Sequence, residues 1–180
     1  MTSPRPNQLS RQLARFSGLP AVLRPGLTSF LLGQVVPMVG TARLHFEEVS
    51  SQRVVVTIRN RRKVQNHIKG VHAAAMTLLA ETATGMVVGM NVRDDCLPLA
   101  KELRVAFKRR AQGALRAVAT LTDEQRTLMQ QSDKGEVTVA VQVSDESGAQ
   151  PIECEFIWAW VPASKSKTSA PAAPAATPQR

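Results

Sequence analysis

The chain has 180 residues, 43% of them hydrophobic, which suits one domain with a real core plus tails. Its formal charge of +9 is carried by the ends: residues 1–46 hold five Arg and no acid, the stretch after Ser164 adds three cations, and all fourteen acids lie between Glu47 and Glu155 among fifteen Lys or Arg. A near-neutral middle with no Tyr, few aromatics and no RNA-binding signature argues against a nucleic-acid binder.

Leu9, Leu13, Phe16 and Leu19 recur at helical spacing with Arg11 and Arg15 between them, so residues 8–17 read as a short amphipathic helix ended by Gly18 and Pro20. It is expected to flank the domain or cover it as a lid. Residues 27–36, between Pro25-Gly26 and Pro37, read as a second short helix or a buried extended segment. Leu44 and Phe46 then alternate with His45 and Glu47, and after a turn at Ser50-Ser51-Gln52 the alternation resumes through Val54, Val56 and Ile58, giving a hairpin.

The run Asn66–Val92 follows: a polar loop with Asn66, His67, Lys69, Gly70 and His72, then Ala, Leu and Met around a single carboxylate, Glu81. These are strong helix formers, the run is too long for an ordinary strand, and apolar residues fall on nearly every side, so a buried helix of about five turns is predicted. Beyond it, Leu103, Val105 and Phe107 alternate with charged or small residues, and Ala111-Gln112-Gly113 turns into Leu115, Ala117, Ala119 and Leu121, which reads as a second hairpin. A polar stretch from Thr122 to Lys134 precedes alternation over Val137–Val143 and, after Ser147-Gly148, over Ile152–Trp160. Residues 1–24 thus form an N-terminal helix and linker, 25–161 one domain, and 162–180 a disordered tail rich in Ala, Pro, Ser and Lys.

A membrane span over residues 71–92 is disfavoured, because Glu81 sits mid-run with three Thr and two Gly and the flanks read as strands. Cys96 and Cys154 are too few for a disulfide framework and lack metal spacing. With no apolar signal core at the N-terminus, the expected location is cytoplasmic; an Arg-rich, acid-free start would also suit a mitochondrial presequence.

Two strands, a buried helix and four further strands give an α+β domain: a curved antiparallel sheet of five to six strands wrapped around a long central helix, with short helices ahead of it. That order is similar to the hotdog fold. The spacing Asn66, five residues, His72, eight residues, Glu81 resembles the Asn, His, Asp/Glu pattern of hotdog acyl-CoA thioesterases of the phenylacetate-pathway type. The segments GVHAAAMTLLAE and FKRRAQGAL look most like an uncharacterised domain-of-unknown-function branch of that superfamily, over roughly residues 25–161. The resemblance implies hydrolysis of an acyl-CoA thioester with no cofactor beyond the coenzyme A of the substrate. In those enzymes the helix opens with His-Gly-Gly; here Ala73 and Ala74 replace the glycines, keeping the N–H groups but narrowing the approach.

Geometry adds a requirement. His72 and Glu81 are nine residues apart, about 13 Å along a helix, too far to act on one carbonyl within one chain. Two central helices antiparallel across a twofold axis would bring Glu81 of one protomer near residues 70–74 of the other, so a homodimer, or a homotetramer built from dimers, is expected. The resemblance implies that same arrangement.

Glu81 in apolar surroundings should have a raised pKa, suiting a general base or a nucleophile; the plainer alternative is a structural carboxylate paired with an Arg. The amides of Gly70, Val71, Ala73 and Ala74 could hold an oxyanion. Asn66 could orient water or be a turn residue, and His72 could polarise the thioester or be an interface histidine. Arg61, Lys63, Lys69, Lys108, Arg109 and Arg110, near Arg59 and Arg62, could seat the phosphates of coenzyme A or simply charge a strand edge. His67 and His72 are five apart with no third ligand, so no metal site is expected. Trp158 and Trp160 fit core packing better than an acyl tunnel. A non-catalytic hotdog module that binds acyl-CoA or lipid is the alternative from another class; hydratase chemistry is less favoured.

Overall fold

The computed structural model describes residues 6–18, 20 and 22–163. In chain order its elements are α1 (Gln8–Ala14), a 3-10 turn (Arg15–Gly18), α2 (Arg24–Val35), α3 (Pro37–Ala42), β1 (His45–Val49), β2 (Arg53–Ile58), a 3-10 turn (Arg62–Val64), α4 (Ala73–Gly89), β3 (Cys96–Phe107), β4 (Leu115–Thr120), α5 (Asp123–Gln131), β5 (Gly135–Asp145) and β6 (Ile152–Pro162). The strands form one six-stranded antiparallel sheet in the order β1-β2-β4-β5-β6-β3. The central helix α4 packs against β2, β4 and β5 and reaches β3 and β6, the hotdog arrangement. The tail expected from residue 162 lies outside the described residues from Ser164 onward.

Strand alternation does what the pattern requires. Val54, Val56 and Ile58 of β2, Leu115, Ala117 and Ala119 of β4, Val137 and Val139 of β5, and Phe156, Trp158 and Trp160 of β6 are all buried, while the residues between them mostly face out. Small side chains on both partners, Ala80 and Ala83 on α4 and Ala117 and Ala119 on β4, let helix and sheet approach closely.

Four features differ from the sequence reading. Pro37 does not simply end the second helix: it opens α3, because proline's fixed φ and missing N–H suit a first helical turn. The stretch after Thr122 contains α5, fastened by a capping box in which Thr122 accepts from the Gln125 N–H and Gln125 accepts from the Thr122 N–H. The strand expected near Leu103 begins at Cys96 and includes Pro98, a residue that an edge strand tolerates. The second hairpin does not form, since β3 pairs with β6, and β4 inserts between β2 and β5.

The C-terminal end of α4 is heavily capped. Asn7 donates to the carbonyls of Gly89 and Val92, both at 2.7 Å, and Ser10 donates to that of Met90 at 2.8 Å. Asn91 donates to Val87 and Ser51 carbonyls, and buried Arg126 of α5 reaches Asn91, Asp123 and Ser51. These bonds satisfy carbonyls that the helix itself cannot pair.

Trp158 is core, not tunnel: its indole N–H donates to Thr84 Oγ1 at 3.0 Å, and its ring lies over Gly85. A helical Gly→Ala change ordinarily stabilises, but a Cβ on Gly85 would meet the Trp158 ring at 2.7 Å. Gly85→Ala is therefore expected to lower the melting temperature by about 3–8 °C in thermal unfolding followed by circular dichroism.

Candidate active site

The two halves of the candidate site lie at different heights on α4. At its start, residues 65–72 fold back on themselves. The Asn66 N–H donates to the Gly70 carbonyl at 2.9 Å and that of His72 to the Val64 carbonyl at 2.8 Å. Inside this loop Asn66 Oδ1 accepts from the N–H groups of Ile68 (3.1 Å) and Gly70 (3.0 Å), so its carboxamide holds the turn. Lys69 adopts a left-handed φ of 61° there.

His72 is the N-cap of α4: its Nδ1 accepts from the Ala74 N–H at 3.1 Å. An accepting Nδ1 carries no proton, which puts the hydrogen of the neutral ring on Nε2 of an exposed side chain. Of the five amides from 70 to 74, three are thus occupied: Gly70 by Asn66, His72 by Val64 and Ala74 by His72. Among the described residues, the Val71 and Ala73 N–H groups have no acceptor. They sit at the positive end of a 17-residue helix.

Two turns further on, Glu81 is half-buried, and its pKa is raised by burial, opposed weakly by a bond from Thr82 Oγ1 at 3.5 Å. Among the described residues no cation lies within ion-pair distance of it, so none of them supplies the Arg that the structural alternative requires. Ala74, Leu78 and Glu81, one helical face at i, i+4 and i+7, form its least covered line, exposed or half-buried. Within one chain the structure does not bring Glu81 to Asn66 or His72; about 12 Å of helix separates Glu81 from Ala73.

The cations gather around the same helix start. Arg110 donates to the Ile68 carbonyl at 3.0 Å, joining the loop after β3 to the 66–70 loop, and Lys69 offers its carbonyl to Asn60. Arg61 donates to the Ala42 carbonyl at 2.9 Å, and Lys108 is committed to Glu153 at 2.7 Å. Arg43, Arg59, Arg61, Arg62, Lys63, Lys69, Arg109 and Arg110 take part in no ion pair among the described residues, whereas Arg11, Arg53, Arg93, Lys101, Arg104, Arg116 and Arg126 all do. Unpaired positive charge is concentrated at this pole. Arg43 was not singled out by spacing; the acid-free run that contains it was the available signal.

A family model described as Domain of unknown function (DUF4442) matches residues 25–161. The chain belongs to this family. No curated protein matches it. Among solved structures, the DUF4442 chain is similar to a Pseudomonas aeruginosa protein of unknown function described as a probable thioesterase, at 25% identity and TM-score 0.66, covering 80% of this chain and 97% of that one. It also shares its fold with a putative thioesterase from Shewanella oneidensis (12%, TM-score 0.65, 77% and 97% covered) and a thioesterase family protein from Silicibacter pomeroyi (12%, TM-score 0.58, 79% and 99% covered).

The raised pKa of Glu81 has a stability consequence. Between the ordinary value of 4.5 and the raised one, the folded chain keeps a proton that the unfolded chain has lost, so stability falls as pH rises through that window and stays lower above it. Glu81→Gln, which buries no charge, is expected to raise the melting temperature at pH 7 by about 1–3 °C and to leave it unchanged below the ordinary carboxylate range. A loss of stability at pH 7 would mark Glu81 as a structural carboxylate instead.

Proposed function

We propose that this protein hydrolyses an acyl-CoA thioester at a site completed by a second copy of the chain. The observation that carries the reading is Glu81: a half-buried carboxylate with a raised pKa, no partner cation among the described residues, and a place on the least covered line of the central helix. Burial without compensation costs stability, and a group tuned toward neutrality is suited to proton transfer. The thioesterase descriptions of structurally similar proteins support the reaction class.

The open edge of the sheet supports the second copy. At the other edge, the Ser29 hydroxyl on α2 accepts from the Phe46 N–H of β1, so α2 covers that strand. Among the described residues the outer edge of the 12-residue β3 has no neighbouring strand, and Leu103 and Phe107 on it are 46% and 53% exposed. An open strand edge with exposed apolar side chains is a template for pairing, and here Lys101, Glu102 and Arg104 interrupt the apolar row. Antiparallel pairing through β3 would run the two α4 helices past each other and set Glu81 of one protomer opposite the helix start of the partner.

In this arrangement the thioester oxygen is held by the N–H of Ala73 of the partner subunit, an exposed residue at the helix start, whereas the Val71 N–H lies in a residue only 1% exposed. Glu81 takes a proton from water, whose oxygen attacks the carbonyl carbon. The tetrahedral centre collapses with cleavage of the C–S bond, and the Glu81 carboxyl returns its proton to the departing thiolate, releasing a carboxylic acid and coenzyme A. Asn66 is a positioning residue that holds the loop, His72 fixes the helix start, and Lys63, Lys69, Arg109 and Arg110 attract the anionic substrate. A cytoplasmic site belongs to the same reading.

The exposed Ala73 and Ala74 methyls at the helix mouth favour a second reading, a non-catalytic module that binds acyl-CoA. A panel of acyl-CoAs with thiol detection separates the two. The hydrolase reading expects release of free thiol and a fall of about 100-fold or more in kcat for Glu81→Gln; binding of acyl-CoA without thiol release from wild type would leave only the module. In sedimentation velocity the wild type is expected as a dimer or a dimer of dimers, and Leu103→Asp as a monomer lacking hydrolysis. A monomeric wild type that hydrolyses would rule out the shared site.

A further inference from the structure

Between α2, α3 and the adjoining ends of β1 and β2 lies a groove of about 660 Å³, within the roughly 300–1,000 Å³ typical of small-molecule sites. Its shape depends on Gly33 and Gly40, where the two helices meet backbone to backbone: a Cβ on Gly40 would stand 2.5 Å from the Gly33 carbonyl oxygen. Val39 and Leu44 form a buried apolar floor, and Phe30 on the wall presents its ring to solvent at 63% exposure. Arg43, Arg59 and Arg61 line the same groove, and among the described residues no carboxylate does.

The three guanidinium groups are not equivalent. Arg61 is tethered at one Nη by the Ala42 carbonyl, and its buried Nε has no acceptor. A buried donor left without a partner is costly unless something supplies an acceptor. Arg43 and Arg59 are exposed and outside every ion pair of the described residues. Arg43 caps α3 in the left-handed region at φ 51°, its N–H bonded to the Gly40 carbonyl, which fixes the point from which its side chain leaves the backbone.

We propose that this groove seats the nucleotide end of coenzyme A, with the adenine against Phe30 and the phosphates on Arg43, Arg59 and Arg61. The assignment rests on the acyl-CoA reading above and moves the phosphate seat away from Lys108, whose ammonium is committed to Glu153. A purely apolar ligand would leave three cations unanswered, and a free phosphate would make no use of Phe30. A base joined to several phosphates uses both, through stacking and guanidinium forks.

Calorimetric titration with coenzyme A, with adenosine 3′,5′-bisphosphate and with inorganic phosphate tests this on the full chain. Adenosine 3′,5′-bisphosphate carries the base and phosphates but has no thioester arm. Both nucleotides are expected to bind the wild type, with affinity falling as salt rises, and phosphate to bind far more weakly. Phe30→Ser should weaken both nucleotides about tenfold, and Arg59→Glu and Arg43→Asn by about tenfold or more each. Asn is chosen because it tolerates the left-handed backbone. Lys134→Glu, a distant exposed control, should bind as wild type does. Failure of the wild type to bind either nucleotide, or equal affinity across the groove variants, overturns the proposal. If the nucleotides bind in the expected pattern while no acyl-CoA is hydrolysed, the groove stands and the hydrolase reading falls. If Phe30→Ser and Arg59→Glu hydrolyse acyl-CoA with wild-type KM, the groove falls and the hydrolase reading stands.

Discussion

A helix clasped by a sheet along its length can present backbone polarity only at its ends, and this constraint organises the molecule. Each end of α4 carries backbone groups without intrahelical partners, and burial makes them costly unless they are answered. At the C-terminal end they are answered from three directions, by Asn7 and Ser10 of the N-terminal segment, by Asn91, and through Arg126 of α5. At the N-terminal end the answer is partial. His72 and Asn66 occupy two amides with their side chains, and those of Val71 and Ala73 are left over. The asymmetry makes one end of the helix structural and leaves at the other the N–H of the exposed Ala73 open to a ligand, with that of the buried Val71 behind it.

The sheet shows a second asymmetry of the same kind. One edge strand, β1, is covered by α2, whose Ser29 hydroxyl receives a strand N–H. The other, β3, has no strand at its outer edge among the described residues and keeps an apolar row in solvent. A third asymmetry lies in the charge: cations remote from the α4 start are largely neutralised by neighbouring carboxylates, whereas those on the 59–69 and 109–110 loops and at Arg43 are not. The available amides and the unanswered cations coincide at one pole. A site that develops negative charge on a carbonyl oxygen and receives a phosphorylated substrate would place its polarity in this way.

Glu81 shows how the fold tunes a side chain. The carboxylate sits on a helix chosen for burial, so its charge is penalised, and only Thr82 among the described side chains offsets the penalty. Thr84, three residues on, spends its hydroxyl on Trp158 and on helix carbonyls rather than on the acid. The stability cost of Glu81 is therefore local, and it is the feature that a hydrolytic role best explains.

The sequence by itself determined the central helix, the six alternating strands and their chain order, the first and last hairpins, and Glu81 as the acid enclosed in an apolar run. These are matters of periodicity and composition within short windows. Two further local signals lie in the sequence: the Thr122 and Gln125 pair that opens α5, and Pro37 as a first helical residue. Tertiary structure alone decided that β3 crosses the sheet to pair with β6, because antiparallel strands of similar alternation are interchangeable until the helix fixes which edge each can reach. It decided that Asn66 serves a turn and that, among the described residues, two of five amides have no acceptor, since hydrogen-bond partners come from the folded loop and not from spacing. It decided, too, that Gly33 and Gly40 meet to shape a groove holding Phe30 and three arginines, with Arg59 and Arg61 lying 16 and 18 residues beyond Arg43, a proximity that no local pattern encodes.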